Sequence, residues 1–76
     1  MEFTKEEIKI IKKLYDHLME CPLCRGEYDA DNGSEKFMYG VATVMELVAR
    51  TISDDLAEEH SNLFDKNMLA SEKKNI

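Results

Sequence analysis

The sequence predicts an all-α domain, a small helical bundle of three main helices with a short helix after Pro22. Three observations favour this class. Apolar residues recur at spacings of three and four over most of the chain, Gly and Pro are scarce, and no convincing strand alternation interrupts them. A chain of 76 residues is one domain, residues 1–76, and we expect its polar tail, residues 71–76, to fray.

The first helix is predicted to start at Thr4 and to end near Pro22. Thr4 and Glu7 have the spacing of a capping box, in which each side chain binds the backbone N–H of the other residue. Proline stops or bends a helix because it disfavours helical geometry in the preceding residue. The apolar positions between these signals form one broad stripe: Ile8, Ile10, Ile11, Leu14, Tyr15 and Leu18.

The segment after this helix combines a helix start with a turn. Proline suits the first position of a helix, so residues 22–30 are predicted to form a short helix with Cys21 at its N-cap. Asn32-Gly33 favours a turn, and Ser34 is a good N-cap for the helix that follows. The two long helical regions are therefore expected to be joined by a corner and a polar loop.

The second half of the chain, from Glu35 onward, has a helical pattern. It fits either one long bent helix or two helices separated by a tight break. Two are favoured, over residues 35–52 and 54–70, because Ser53 followed by acidic residues is typical of a helix N-terminus.

The net charge of −6 is unevenly distributed along the chain. Residues 1–19 are neutral overall, whereas residues 20–36 and residues 37–76 each carry a net charge of −3. An acidic surface repels phosphate backbones, so direct binding of nucleic acid is disfavoured. The charge suits a basic protein partner, including one that itself binds DNA, or it serves only solubility.

No stretch of the sequence approaches the ~20 apolar residues that span a bilayer. The N-terminus also lacks the apolar core of a signal peptide. We therefore expect a cytoplasmic protein without a membrane partner. In a reducing compartment, its two cysteines are expected to be free, metal-bound or redox-active rather than joined in a permanent disulfide.

The segment from His17 to Cys24 carries the strongest functional signal. His17 and Cys21 are four residues apart and share a helix face, and the bend at Pro22 lets both sulfur atoms approach one ion. Thiolates and imidazoles are the ligands that zinc prefers, and structural zinc sites usually have four of them. The segment therefore predicts a zinc site.

His17, Cys21 and Cys24 form the motif H-x-x-x-C-x-x-C, with Leu18 after the histidine and Arg25 after the second cysteine. This motif resembles the core of the zinc-associated anti-sigma domains, the zinc-finger modules of anti-sigma factors. The resemblance implies a helical zinc module that binds a transcription initiation factor, in some members with release under redox control. It also implies His17, Cys21 and Cys24 as zinc ligands.

The fourth ligand of such a zinc site stays open. Residues 1–16, where the family has a further ligand, contain neither Cys nor His. The candidates are His60, a carboxylate such as Glu20 or Glu27, a second chain, or water. Two other interpretations of the cysteines remain, a redox-labile dithiol without metal and structural cysteines packed beneath Tyr28.

Several other residues invite a functional interpretation. His60 lies among acidic residues and fits a solvated helix position better than a metal ligand. Three large apolar residues near the C-terminus are more than so small a core can bury: Phe64, Met68 and Leu69. Where they are exposed, they would mark a partner-binding or dimer surface. The acidic run at residues 29–35 lacks the glycine and glutamate positions of an EF-hand calcium loop.

The sequence contains no recognisable catalytic set, phosphate-binding loop or nucleotide fingerprint. We therefore expect a non-enzymatic, protein-binding regulatory module that inhibits a transcription-associated protein, in the manner of an anti-sigma factor, with zinc as its cofactor. One alternative is a self-associating structural protein, in which helix stripes or paired C-x-x-C segments join a homodimer. Another is a phage-type inhibitor whose acidic face mimics nucleic acid.

Overall fold

The computed structural model of this protein describes residues 2–28 and 35–74. They form three α-helices and one 3-10 helix, in the order α1 (Lys5–Leu18), the 3-10 helix (Pro22–Arg25), α2 (Glu35–Ile52) and α3 (Asp54–Lys74). The described residues contain no strand, and the predicted all-α class with three main helices is confirmed. The predicted turn at Asn32-Gly33 and the predicted cap at Ser34 lie outside the described residues.

The start of α1 is the predicted capping box. The Thr4 hydroxyl accepts a hydrogen bond from the N–H of Glu7 at 3.1 Å, and the Glu7 carboxylate accepts one from the N–H of Thr4 at 2.9 Å. The bond from the Thr4 backbone is the main reason that the pKa of the Glu7 carboxyl is below its ordinary value. The predicted stripe divides into buried Tyr15, half-buried Ile8, Ile11 and Leu18, and exposed Ile10 and Leu14.

A tight break at Ser53 separates α2 from α3. The Ser53 hydroxyl accepts a hydrogen bond from the N–H of Leu56 at 3.1 Å, as an N-cap residue does. Asp54 and Asp55 follow in the first turn, where the helix dipole favours negative charge. The prediction of two helices rather than one bent helix is confirmed.

The third helix is longer than the sequence predicts. It has 21 residues and continues past residue 70 to Lys74. Ser71 is buried. The fraying of residues 71–76 stays a prediction. Neither this helix nor any other in the described part of the chain is long and apolar enough to cross a membrane.

The second helix is the centre of the core, because α1 and α3 both pack against it. Toward the α2–α3 break, the buried residues are Tyr15, Met45, Ala49 and Ala57. Toward the other end, they are Met38, Phe64 and Met68. The segment after α1 touches both clusters, through Cys24 on one side and through Leu23 and Tyr28 on the other. The segment that carries the cysteines is thus part of the folded body.

Candidate functional site

A sharp corner after α1 holds both cysteines. The N–H of Cys24 donates to the carbonyl oxygen of Cys21 at 3.1 Å, which closes the first turn of the 3-10 helix. Pro22 occupies the first position of that helix, where its missing N–H costs nothing. Gly26 ends the helix in the left-handed conformation, with φ of 90°. The predicted helix after Pro22 is therefore present as a single 3-10 turn.

Polar side chains on the inner face of α3 fix the backbone of this corner. The Nε2 atom of His60 lies 2.8 Å from the carbonyl oxygen of Cys24. The amide of Asn67 donates to the carbonyl oxygen of Arg25 at 2.7 Å, and the Ser71 hydroxyl accepts from the N–H of Tyr28 at 3.2 Å. We call His60, Asn67 and Ser71 the polar strip. It satisfies backbone groups that helix formation leaves without partners.

Gly26 allows the corner to approach α3 closely. A Cβ atom at this position would stand 2.5 Å from the carbonyl oxygen of Phe64 and 2.9 Å from its Cα. Both the positive φ and the contact therefore require glycine. The close approach brings the backbone around Gly26 within reach of the polar strip.

Arg25 ties the corner back to the end of α1. Its guanidinium donates to the carbonyl oxygen of Met19 at 2.9 Å and to that of Glu20 at 3.3 Å. It also forms an ion pair with the carboxylate of Glu27 at 2.7 Å. Cations are favoured at a helix C-terminus, where carbonyl groups lack partners. Arg25 thus has a structural role that the sequence motif alone did not show.

The two cysteines are free and differ in environment. Cys21 is exposed at the N-terminus of the 3-10 helix, where no capping hydrogen bond forms to its side chain. The N–H groups of Cys24 and Leu23 nevertheless point toward it and lower the pKa of its thiol. Cys24 is half-buried, and this burial, followed by the nearby charge of Cys21, raises the pKa of its thiol. We therefore expect Cys21 to be the more reactive thiol.

The predicted zinc ligands are only partly brought together. The thiols of Cys21 and Cys24 are neighbours. His17 projects into solvent with 80% of its side chain exposed, and its Nδ1 atom lies 3.5 Å from the carboxylate of Glu20. Within residues 2–28 and 35–74, no three His, Cys, Asp or Glu side chains form a group that would hold a metal ion. Zinc binding by His17, Cys21 and Cys24 therefore stays a prediction.

His60 corrects the sequence interpretation most clearly. The sequence predicted a solvated residue or a weak fourth metal ligand, but His60 is 2% exposed. Its ring lies edge-on to Tyr15, with centroids 6.2 Å apart, and 5.6 Å from the ring of Phe64. Its Nε2 atom is already bonded to a backbone carbonyl oxygen. His60 is a buried structural residue that connects α1, α3 and the corner.

The predicted partner-binding residues near the C-terminus also separate. Phe64 and Met68 are buried against Met38, so they belong to the core and not to an exposed partner surface. Leu69 is 55% exposed and lines a groove with Tyr39 and Ala42 of α2. The small core is able to hide both large side chains because the corner closes over them through Leu23.

An exposed apolar surface also lies between α1 and α2. Ile10 and Leu14 of α1 are exposed, although the sequence placed them in the apolar stripe of that helix. Val44 and Leu47 of α2 are exposed as well. A groove of about 490 Å³ opens here, with a floor that is almost entirely apolar; its lining includes Leu18, Cys24, Gly40, Val41 and Val44. We call this surface the α1/α2 face. Its helical spacing was visible in the sequence, but its exposure was not.

Comparison with known proteins identifies no relative of this chain. No family model matches the chain, and no curated protein and no solved structure is significantly similar to it. The resemblance of the His17–Cys24 motif to the zinc-associated anti-sigma domains therefore stays a prediction. Interpretation of the function depends on the surfaces of the chain itself.

Proposed function

We propose that this chain is a protein-binding regulatory module that engages a basic protein through the exposed acidic residues of α3. One observation carries the proposal, the exposed carboxylates of Asp54, Asp55, Glu58, Glu59 and Asp65. Lys66 is the one basic residue in the same stretch, residues 54–66, if His60 is counted as neutral. We call this surface the acidic face.

The chemistry of the acidic face defines the partner. Clustered charge of one sign attracts the opposite sign over several ångströms, speeds association and disfavours wrong partners. Carboxylates repel nucleic acid, but they fit the lysine and arginine side chains with which another protein binds DNA. The partner is thus a basic, transcription-associated protein, and binding inhibits it because the acidic face and DNA compete for one surface. The anti-sigma resemblance points to the same class of partner.

Affinity capture from a lysate of the source cells tests the proposal. Wild-type protein is compared with Glu58→Gln/Asp65→Asn, which neutralises two carboxylates of the acidic face. The matched control is Glu2→Gln/Asp16→Asn, which changes the net charge equally on exposed residues of the N-terminal region. We expect wild type and control to capture a basic DNA-binding protein, the acidic-face variant to lose it, and added duplex DNA to displace it.

Two outcomes would count against this function. Equal capture by both double variants would show that the acidic face does not make the contact. Capture that duplex DNA does not displace would separate the contact from the DNA-binding surface. A third outcome identifies the nucleic-acid mimic instead of a dedicated regulator: equally tight binding to an unrelated basic protein such as a histone.

A further inference from the structure

A second line of residues with heptad spacing runs along both α1 and α2, apart from the residues that pack in the core. On α1 the line is Phe3, Glu7, Ile10, Leu14 and His17. On α2 it is Phe37, Gly40, Val44, Leu47 and Thr51. All of these residues are exposed except Thr51, which is half-buried. Alternating spacings of three and four residues are the signature of helices that pack against other helices.

The two lines lie side by side on the α1/α2 face. The start of α1 is next to the end of α2, since Phe3 and Ile8 line a shallow cavity with Leu47 and Thr51. The end of α1 is next to the start of α2, since Leu18 lines the apolar groove with Phe37. The helices are therefore antiparallel. Together they present a two-helix surface with an apolar centre of Ile10, Leu14, Val44 and Leu47, which the third helix does not cover.

Gly40 marks the centre of this surface. A Cβ atom at Gly40 would meet nothing within 4 Å, so packing inside the chain does not require a glycine there. A glycine inside a helix lowers its stability relative to alanine. On an exposed helix line, it leaves a hollow into which a large side chain from another helix fits.

Charged residues flank the two lines in a complementary order. The outer flank of α1 carries Glu6 and Lys13, and Glu20 follows at the same spacing of seven, in the turn just after the helix. The outer flank of α2 carries Lys36, Thr43 and Arg50, also seven residues apart. All six residues are exposed. Such flanking charges determine which helices pair and in which direction. An antiparallel alignment of the α1 flank with the α2 flank places a glutamate opposite a cation at both ends.

We propose that the α1/α2 face binds a second copy of this chain, with α1 of each copy antiparallel to α2 of the other. One register satisfies both patterns. It places Leu14 over the hollow at Gly40 of the second copy and Ile10 against Val44. The same register brings Glu20 beside Lys36. Because the dimer has a two-fold axis, each of these contacts occurs twice.

The net charge of the chain does not oppose this dimer. Glu58 and Asp65 line grooves between α3 and α2. The third helix packs on the side of α2 that carries Met38 and Ala49. The exposed line of α2, with Val44 at its centre, faces a different direction. The dimer therefore leaves both acidic faces open, and this inference does not depend on their function.

Sedimentation equilibrium of the reduced protein tests the proposal. We expect wild type to have twice the 8.8 kDa mass of one chain. In this register Leu47 lies against Glu7 of the second copy, so Leu47→Glu places two carboxylates together in the interface and is expected to raise the dimer dissociation constant more than about tenfold. The matched control is Leu69→Glu, because Leu69 is about as exposed as Leu47 but lies on α3. It is expected to remain dimeric.

A charge swap tests the register independently of folding. Glu20→Lys and Lys36→Glu are each expected to raise the dissociation constant about tenfold, because each places like charges together at two symmetric positions. The double variant restores the attraction and is expected to return to the wild-type value. Carbodiimide, which joins a carboxylate to an amine in contact, is expected to link Glu20 of one chain to Lys36 of the other.

The outcomes separate clearly. A wild-type protein that sediments as an 8.8 kDa monomer at all concentrations would overturn the proposal. So would dissociation by Leu69→Glu to the same degree as by Leu47→Glu, or a dimer that tolerates both glutamates. A double charge variant no tighter than the two single variants would refute the antiparallel register. Circular dichroism of each variant shows whether the helices stay folded. If they do, the dissociation is not a result of unfolding.

Discussion

The Nε2 atom of His60 lies 2.8 Å from the carbonyl oxygen of Cys24. A carbonyl oxygen only accepts hydrogen bonds, so Nε2 carries a proton and donates. The bond joins residues 36 positions apart in the sequence. It fixes the corner after α1 to the third helix, with the His60 ring held between Tyr15 and Phe64. The corner is therefore positioned by hydrogen bonds from α3.

Replacement of His60 by alanine is expected to lower the free energy of unfolding by about 2–4 kcal/mol. The change removes a buried aromatic ring and leaves the carbonyl oxygen of Cys24 without its partner. Urea unfolding followed by circular dichroism measures the loss. His17→Ala is the control and is expected to change stability by less than about 0.5 kcal/mol, because His17 is exposed. Equal effects of the two substitutions would contradict the structural role of His60.

The sequence was sufficient to predict the helices, since their signals are local. Thr4 and Glu7 bond to each other across one turn, and Ser53 bonds to the N–H of Leu56. Such contacts depend on residues three positions apart, so they can be predicted from the sequence without knowledge of the fold. The all-α class and the break after Ile52 followed from them.

The candidate site was harder to predict because its partners are distant in sequence. The side chains of His60, Asn67 and Ser71 form hydrogen bonds to the backbone of the corner after α1, about forty positions earlier in the sequence. No local sequence pattern predicts those hydrogen bonds. Polar residues at helical spacing, on the same helix face as buried Phe64, were the available signal. The helical spacing of apolar residues also could not show whether Ile10 faces the core or solvent. The apolar stripe of α1 is wider than the surface that one neighbouring helix covers.

The two glycines Gly26 and Gly40 are expected to respond oppositely to alanine. Gly26→Ala forces a Cβ to within 2.5 Å of the Phe64 carbonyl oxygen at a positive φ, and we expect a loss of at least about 2 kcal/mol. Gly40→Ala meets no atom in the chain and improves a helix interior, so it is expected to add up to about 1 kcal/mol. Urea unfolding of monomeric protein, in the Leu47→Glu background, compares them. Similar effects at both positions would contradict the close approach of the corner to α3.

The two thiols are expected to alkylate at different rates and over different pH ranges. The N–H groups of Cys24 and Leu23 hold the pKa of Cys21 below its ordinary value, so its thiolate persists as the pH falls. Burial holds the pKa of Cys24 above its ordinary value, so its thiolate forms only at higher pH. Iodoacetamide labelling of Cys24→Ser and Cys21→Ser, followed by mass spectrometry, isolates each thiol. Faster labelling at Cys24 would contradict the assignment.

Removal of metal is expected to leave the folded corner unchanged. The polar strip holds its backbone, and the thiols of Cys21 and Cys24 lack a third ligand grouped with them in the described part of the chain. The melting temperature of reduced protein is therefore expected to be equal with a chelator and with equimolar zinc. A zinc-dependent rise that Cys24→Ser abolishes would support the zinc hypothesis, with a ligand from a second chain or water.

Replacement of Asn67 by aspartate tests the hydrogen bond that this residue of the polar strip donates, because the two side chains have nearly the same shape. The Asn67 amide donates to the carbonyl oxygen of Arg25 at 2.7 Å, and a carboxylate at the same place only accepts, so two acceptors would face each other. We expect Asn67→Asp to lower the free energy of unfolding by about 1–3 kcal/mol at neutral pH. The control Asn62→Asp adds the same charge at an exposed position of the same helix and is expected to cost little.

The pH dependence of this variant distinguishes the lost hydrogen bond from a general charge effect. A carboxyl group that faces the carbonyl oxygen of Arg25 is favoured in its protonated form, which donates, so folding raises its pKa. The stability of Asn67→Asp relative to wild type is then greatest below the pKa of an unfolded aspartate and is lost as the pH rises through the raised folded pKa. Urea unfolding across this range measures it. If Asn62→Asp lost as much stability over the same range, added negative charge on α3 would explain the result, and the donor role of Asn67 would be wrong.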